Sequence, residues 1–187
     1  DGAASRRLVL VRTDWCDSAA LMARLLERPG GRKTLARRLL AVLQVRRVDA
    51  EPPFLVETLV VSDTGWTALG FKRAFPVYSE EGFFALYALA AMGSGLPMAL
   101  GVQLARPDAP VVSVIGDGGM LVHIGELNVA AQRRLPVLHV VVKNGIYKSV
   151  GERQKHFFGK FYNTEIENPS YAKVAEGFGC RGYSARC

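Results

Sequence analysis

Val111-Val112-Ser113-Val114-Ile115-Gly116-Asp117-Gly118-Gly119 decides the fold: a short apolar strand runs straight into a carboxylate set between glycines. An unbroken apolar run of this kind reads as a strand buried on both faces, the pattern of a parallel sheet covered by helices. In such open sheets, ligands bind beyond the C-terminal ends of the strands. Gly116, Gly118 and Gly119 would let the backbone come close to a phosphate and aim N–H groups at it. Asp117 would repel that same phosphate, so a cation has to stand between them. Mg²⁺ answers this, because it takes carboxylate, amide and carbonyl oxygens together with phosphate oxygens.

Outward from this stretch the same texture repeats. Leu59 to Ser62 and Val137 to Val142 are further apolar runs of strand length, and Leu8 to Val11 is a shorter one. Residues 95 to 104 and 125 to 133 read as helices between them, and residues 18 to 27 and 34 to 45 as two amphipathic helices separated by Pro29-Gly30-Gly31. Strands alternating with helices predict an α/β fold, a parallel sheet flanked by helices. The run Val137 to Val142 ends in Lys143-Asn144-Gly145-Ile146-Tyr147, which brings an amide oxygen and a tight turn to the same sheet edge as Asp117. Each turn alone is common in any α/β protein. A buried strand into Gly-Asp-Gly, then a helix, then a buried strand into Asn-Gly is a far more specific combination. Gly116, Gly118 and Gly119 do not form G-x-G-x-x-G after their strand, and the chain contains no G-x-x-x-x-G-K-[ST], so neither a dinucleotide site there nor a nucleotide P-loop is expected.

Composition bounds the class. The 187 residues are 49% hydrophobic, enough for one substantial core. The apolar stretch from Phe83 to Leu104 is broken by Gly93, Ser94, Gly95 and Pro97 and would span a membrane poorly. Cys16, Cys180 and Cys187 are too few and too scattered for a disulfide framework, which predicts thiols in a reducing, cytoplasmic compartment. The net charge of +7 gathers at Arg32, Lys33, Arg37, Arg38, Arg46 and Arg47, which read as solvated helix faces rather than as a nucleic-acid site.

Gly116-Asp117-Gly118, followed after residues 119 to 142 by Lys143-Asn144, resembles the signature of the thiamine-diphosphate enzyme family. The resemblance takes in residues 60 to 65 (VVSDTG), 92 to 101 (MGSGLPMALG), Asn168-Pro169 and residues 175 to 179 (AEGFG). It is nearest to the branch of acetolactate synthase, oxalyl-CoA decarboxylase and phosphonopyruvate decarboxylase. It implies a thiamine-diphosphate-binding fold over residues 51–187, shortened at the C-terminus, with residues 1–50 an extension or remnant of uncertain origin. It further implies Asp117, Asn144 and the Ile146 carbonyl as ligands of Mg²⁺, and Gly116, Gly118 and Gly119 around the diphosphate. By the same resemblance Met92 is the apolar wedge that bends the cofactor, with ordinary core packing as the plain alternative. The Ala90 carbonyl would accept from the cofactor's amino group, and Thr64 and Gly65 would touch the diphosphate, with Trp66 an odd neighbour.

Two departures matter. Lys143 replaces the first Asn of the family's pair and faces either solvent or a phosphate. The family's glutamate that activates the cofactor's pyrimidine ring comes from another domain, and Glu27 and Glu51 lie in segments unlike that domain. No catalytic residue is therefore expected in this chain. His139 reads as a core residue, whereas His123 and His156 border the motif loops, and Lys148 and Lys155 could meet an anionic substrate. The expected function is the cofactor-binding half of a 2-oxoacid decarboxylase or carboligase, an oligomer completed by a partner chain that brings the glutamate. The alternatives are a noncatalytic structural or regulatory module that keeps the fold, or a fragment of a full-length synthase. The 2-oxoacid itself is not legible.

Overall fold

Six parallel strands form one sheet in a computed structural model that describes residues 8–12, 58–66, 68–69, 81–86 and 88–186. They are β1 (Leu8–Arg12), β2 (Leu59–Ser62), β3 (Phe83–Ala85), β4 (Val111–Gly116), β5 (Leu138–Lys143) and β6 (Gly182–Arg186), in the order β3-β2-β4-β5-β1-β6. The helices are α1 (Gly95–Ala105), α2 (Asp117–Val122), α3 (Leu127–Gln132), α4 (Lys148–Phe158) and α5 (Tyr171–Gly177). The expected helices at 18–27 and 34–45, the Pro29-Gly30-Gly31 linker and the basic clusters lie outside the described residues, as do Glu27, Glu51, Cys16 and Cys187.

The central strands are apolar on both faces because both are covered. Val61, Val111, Ile115 and Val141 pack on one face with Leu96, Ala99 and Leu100 of α1, Met120 of α2, Leu127 and Ala130 of α3 and Tyr171 and Ala175 of α5. Val60, Val114 and Val142 form a second cluster on the opposite face, with Phe83 against it. Among the described residues no helix joins that second cluster. Burying each such aliphatic side chain contributes roughly 1.5–3 kcal/mol, so the β2-β4-β5 triplet carries much of the stability of the described core.

Local chemistry sets the helix ends. Pro97 is tolerated in α1 because it falls in the first turn, where its missing N–H would have no intrahelical partner. The helix stops at Arg106, the residue before Pro107, where helical backbone is disfavoured. Buried Gln103 closes this end, its Nε2 lying 3.1 Å from Arg106 O, 3.2 Å from Pro107 O and 3.1 Å from Ala109 O. The expected strand at 137–142 lies one residue later, at 138–143, because its ladder with β1 pairs Arg12 with Lys143. The expected helix at 125–133 divides into a 3₁₀ turn at Ile124–Glu126 and α3. The strand expected at Leu8 to Val11 is β1, and it lies between β5 and β6.

His139 is a core residue, 2% exposed, with Nδ1 3.0 Å from Ser113 Oγ. Burial disfavours the imidazolium and pushes its pKa down to about 4 from the ordinary 6.5. Between those two values the unfolded chain binds the proton and the folded chain does not, so stability rises with pH across this window. At about 1.4 kcal/mol per unit the loss on acidification from 6.5 to 4 is roughly 3 kcal/mol. The melting temperature should fall over that range more steeply in the wild type than in His139→Gln. Parallel pH profiles would remove His139 as the cause.

Candidate functional site

Asp63, Asp117 and Asn144 follow β2, β4 and β5, which are neighbours in a parallel sheet, so all three residues reach one edge. Asp117 is 2% exposed and is the first residue of α2, where a negative charge suits the helix N-terminus. Its Oδ2 accepts from the backbone N–H groups of Asn144 at 3.1 Å and Gly145 at 2.7 Å, and from Asn168 Nδ2 at 2.7 Å. Its Oδ1 accepts from Gly118 N at 3.0 Å. The carboxylate thus welds the two motif turns together across 27 residues of sequence.

Asn168 and Tyr171 form a clamp behind Asp117; sequence reasoning quoted Asn168 only within the resemblance, gave it no role, and missed Tyr171. The Tyr171 hydroxyl is buried within reach of Asp117 O, at 3.0 Å, and of Asn168 Oδ1. Burial, reinforced by the negative charge of Asp117 and by Tyr147, raises the Tyr171 pKa above its ordinary value and keeps the hydroxyl a donor. The available signal was Asn168-Pro169 standing three residues before an aromatic at a helix start.

The turn after β5 is held from the other side. Residues 145 to 147 pair with 164 to 166 through Tyr147 N to Thr164 O at 2.7 Å and Ile166 N to Gly145 O at 2.8 Å. Asn144 Oδ1 accepts from Ile146 N at 3.1 Å, and the Ile146 carbonyl accepts from Lys148 N at 2.8 Å. A Cβ on Gly118 would lie 2.5 Å from Tyr147 Cε1, and one on Gly119 would overlap Asp63 Oδ2. Both glycines are therefore already required by neighbours within the chain, in addition to any phosphate they admit.

The remaining expected residues sit at the same edge. Thr64, Gly65 and Trp66 are half-buried, and a Cβ on Gly65 would lie 3.9 Å from Ser149 Oγ at the start of α4. Trp66 has a structural reason: Lys148 Nζ lies 5.2 Å from its ring centroid, a cation–π contact bridging the two loops. Ala90 is half-buried with φ at +47°, and Met92 is 42% exposed, so Met92 does not pack in this chain's core. Gly116 is the N-cap of α2. His123 Nδ1 is 3.2 Å from Gly93 O, while His156 is exposed on α4 beside Phe157. Lys155 Nζ lies 5.9 Å from the Phe161 ring centroid.

The donors gathered here fit a hard divalent cation. They are oxygens only, from a carboxylate, an amide and a carbonyl, and Asp117 Oδ1 and the Ile146 carbonyl each carry one of the hydrogen bonds above and keep a lone pair. Among the described residues no group of three or more His, Cys, Asp or Glu side chains competes as a metal site. No helix among them is long and apolar enough to cross a membrane.

An acid between glycines at one strand end, tied to an Asn-Gly turn at the next, defines a cofactor-binding α/β domain. Residues 63–187 match the family described as thiamine pyrophosphate enzyme, C-terminal TPP binding domain, and the chain belongs to that family. It is 31% identical over 148 residues to the acetolactate synthase isozyme 2 large subunit of Escherichia coli K12, covering 76% of this chain and 26% of that one. It is 32% identical over 123 residues to the acetolactate synthase of Bacillus subtilis 168, covering 66% of this chain and 22% of that one. The thiamine diphosphate-dependent 4-hydroxybenzoylformate decarboxylase of Rhodococcus jostii RHA1 superposes with a TM-score of 0.65 at 26% identity, over 88% of this chain and 27% of that one. The chain thus spans about a quarter of the length of these relatives.

Proposed function

We propose that this chain is the thiamine-diphosphate and Mg²⁺ binding part of a 2-oxoacid decarboxylase or carboligase, completed by a pyrimidine-facing domain that supplies a glutamate. The observation that carries the reading is Asp117 bonded to the backbone of Asn144 and Gly145 at one sheet edge. Relatives named for a synthase and for a decarboxylase support the reaction class and leave both outcomes of decarboxylation open. The completing domain can be a separate chain or another part of a longer one, since the chain spans 26% of its E. coli relative.

Thiamine diphosphate supplies an electron sink for the electrons released when a 2-oxoacid loses CO₂. Asp117, Asn144 and the Ile146 carbonyl would hold the cation; Gly119 would offer its backbone N–H to the diphosphate, and Gly118, whose own N–H is given to Asp117 Oδ1, would let the backbone come close to it. The Ala90 carbonyl would be an acceptor for the cofactor's amino group, and Met92 would support the cofactor from below as an apolar contact. Lys143 and Lys148 stand at the same edge, where cations favour the binding of an anionic substrate. Leu86, Leu89 and Met92 are exposed, Leu89 at 93%, and such an apolar surface fits the second half of the site.

The test is CO₂ release from a panel of 2-oxoacids by the chain together with a pyrimidine-facing domain, in the presence of thiamine diphosphate and Mg²⁺. Release that depends on both parts is expected, and none across the panel would contradict the function. In that assembly Met92→Ala should lower turnover on the order of 10-fold or more while leaving cofactor affinity nearly intact, because the wedge acts on cofactor shape. As Met92 is exposed, the melting temperature of the isolated chain should hardly move. Equal losses of affinity and turnover would remove the wedge role.

A further inference from the structure

Asp63 directly follows β2 and is 2% exposed, a place where a carboxylate needs full compensation from hydrogen-bond donors. The donors come from the turn into α1. Gly93 N lies 3.1 Å from both oxygens, and Oδ1 also accepts from Gly95 N at 3.2 Å and Ser94 Oγ at 3.4 Å. Asp63 is itself fixed to the sheet through its own N–H, which donates to Val114 O at 3.0 Å. A side chain anchored on the hydrogen-bonded, buried β2-β4 pair therefore holds the segment that carries Ala90 and Met92.

That segment needs holding. Ala90 has φ at +47° and Gly93 at +88°, both left-handed, and an alanine in that region persists only where its surroundings over-determine it. Space beneath the turn is equally constrained. A Cβ on Gly93 would lie 2.9 Å from Gly119 O and 2.7 Å from Val122 Cβ, and a Cβ on Gly119 would overlap Asp63 Oδ2. The Asp63 carboxylate is thus seated against both the turn below α1 and the Gly118-Gly119 turn.

We infer that Asp63 is a positioning residue: it sets the Ala90–Gly93 turn at a fixed height over the Gly118-Gly119 turn, and so places Met92 before any cofactor arrives. The inference rests on the function proposed above. Asp63→Asn keeps an acceptor at Oδ1 but removes the charge and sets an amide N–H donor against Gly93 N–H in place of Oδ2, so it weakens the hold on the turn without adding bulk.

Hydrogen exchange on the wild-type chain, without cofactor and with thiamine diphosphate and Mg²⁺, tests the inference without any variant. The Gly93 and Gly95 amides should be slowed at least about 100-fold relative to an unstructured chain in both states. Protection that arises only with the cofactor would show that the cofactor orders the turn, and would overturn the inference. In the assembled enzyme Asp63→Asn should slow exchange of the C2 proton of bound thiamine diphosphate and turnover alike, on the order of 100-fold, with cofactor affinity held. Unchanged exchange of the C2 proton in a folded Asp63→Asn enzyme would also overturn it. Failure of the wild-type chain to bind thiamine diphosphate would strike the proposed function, whereas binding without pre-existing protection of Gly93 and Gly95 would strike the role of Asp63 alone.

Discussion

Asp117→Ala is expected to abolish Mg²⁺-dependent binding of thiamine diphosphate, with affinity falling at least about 100-fold, about 2.8 kcal/mol at 1.4 kcal/mol per tenfold. Asp117 brings the only charge among the three ligands proposed for the cation, and without it the diphosphate faces an incompletely neutralised site. The same side chain also accepts from Gly118 N, Asn144 N, Gly145 N and Asn168 Nδ2, so the alanine variant leaves four donors to find other partners. Each such loss in a buried site costs about 1–3 kcal/mol, and the variant's fold has to be verified by thermal melt. Asp117→Asn separates the two effects: its carbonyl oxygen can still accept from the turn, while the charge is gone. Binding should be lost in Asp117→Asn as well, with a smaller drop in melting temperature. Asn144→Ala should weaken binding less than either, since water can replace a neutral amide oxygen. Ordinary cofactor affinity in a folded Asp117→Asn would exclude the proposed metal role.

The second large effect concerns completeness. The 187-residue chain alone should bind thiamine diphosphate weakly and show no 2-oxoacid turnover, because activating the pyrimidine ring needs a positioned carboxylic acid. Neither carboxylate buried at this edge is available for it. Asp117 is turned into the Asn144-Gly145 turn and Asp63 into the Gly93–Gly95 turn. Adding a pyrimidine-facing domain that bears the glutamate should restore exchange of the C2 proton of the bound cofactor, followed by NMR, along with 2-oxoacid consumption. Efficient turnover by the purified chain alone would show that the acid is supplied from within it. Exposed Leu86, Leu89 and Met92 give the isolated chain a reason to self-associate, and mixing with the completing domain should exchange that association for a mixed one.

The sheet was legible where burial on both faces leaves an unbroken apolar run. Leu59–Ser62 and Val111 to Ile115 read directly as strands, and Gly95 onward as a helix. Phe83–Ala85 was not read, because three residues become a strand only through pairing with Val60–Ser62, and that partnership is set by the fold. Gly182–Arg186 likewise takes its strand form beside Leu8–Arg12, a pairing across most of the chain. At the site, Asp117 and Asn144 were visible because glycines flank or follow them. Asp63 carries the same signal, a buried strand running into Asp63-Thr64-Gly65, yet only Thr64 and Gly65 were singled out. Asn168 was quoted only within the resemblance and Tyr171 not at all, and neither received a role, since their meeting with Asp117 spans about fifty residues. Trp66 looked out of place in sequence and is explained by Lys148, a contact between two loops that no local pattern records.

Calorimetric titration of the chain with thiamine diphosphate, with and without Mg²⁺, tests the account most directly. Saturable binding that requires Mg²⁺ is expected, with one cofactor per chain, and it should disappear in Asp117→Asn. Binding of equal strength without the cation, or none under either condition by a folded chain, would contradict the reading of Asp117 and Asn144 as the two sides of one metal and diphosphate site.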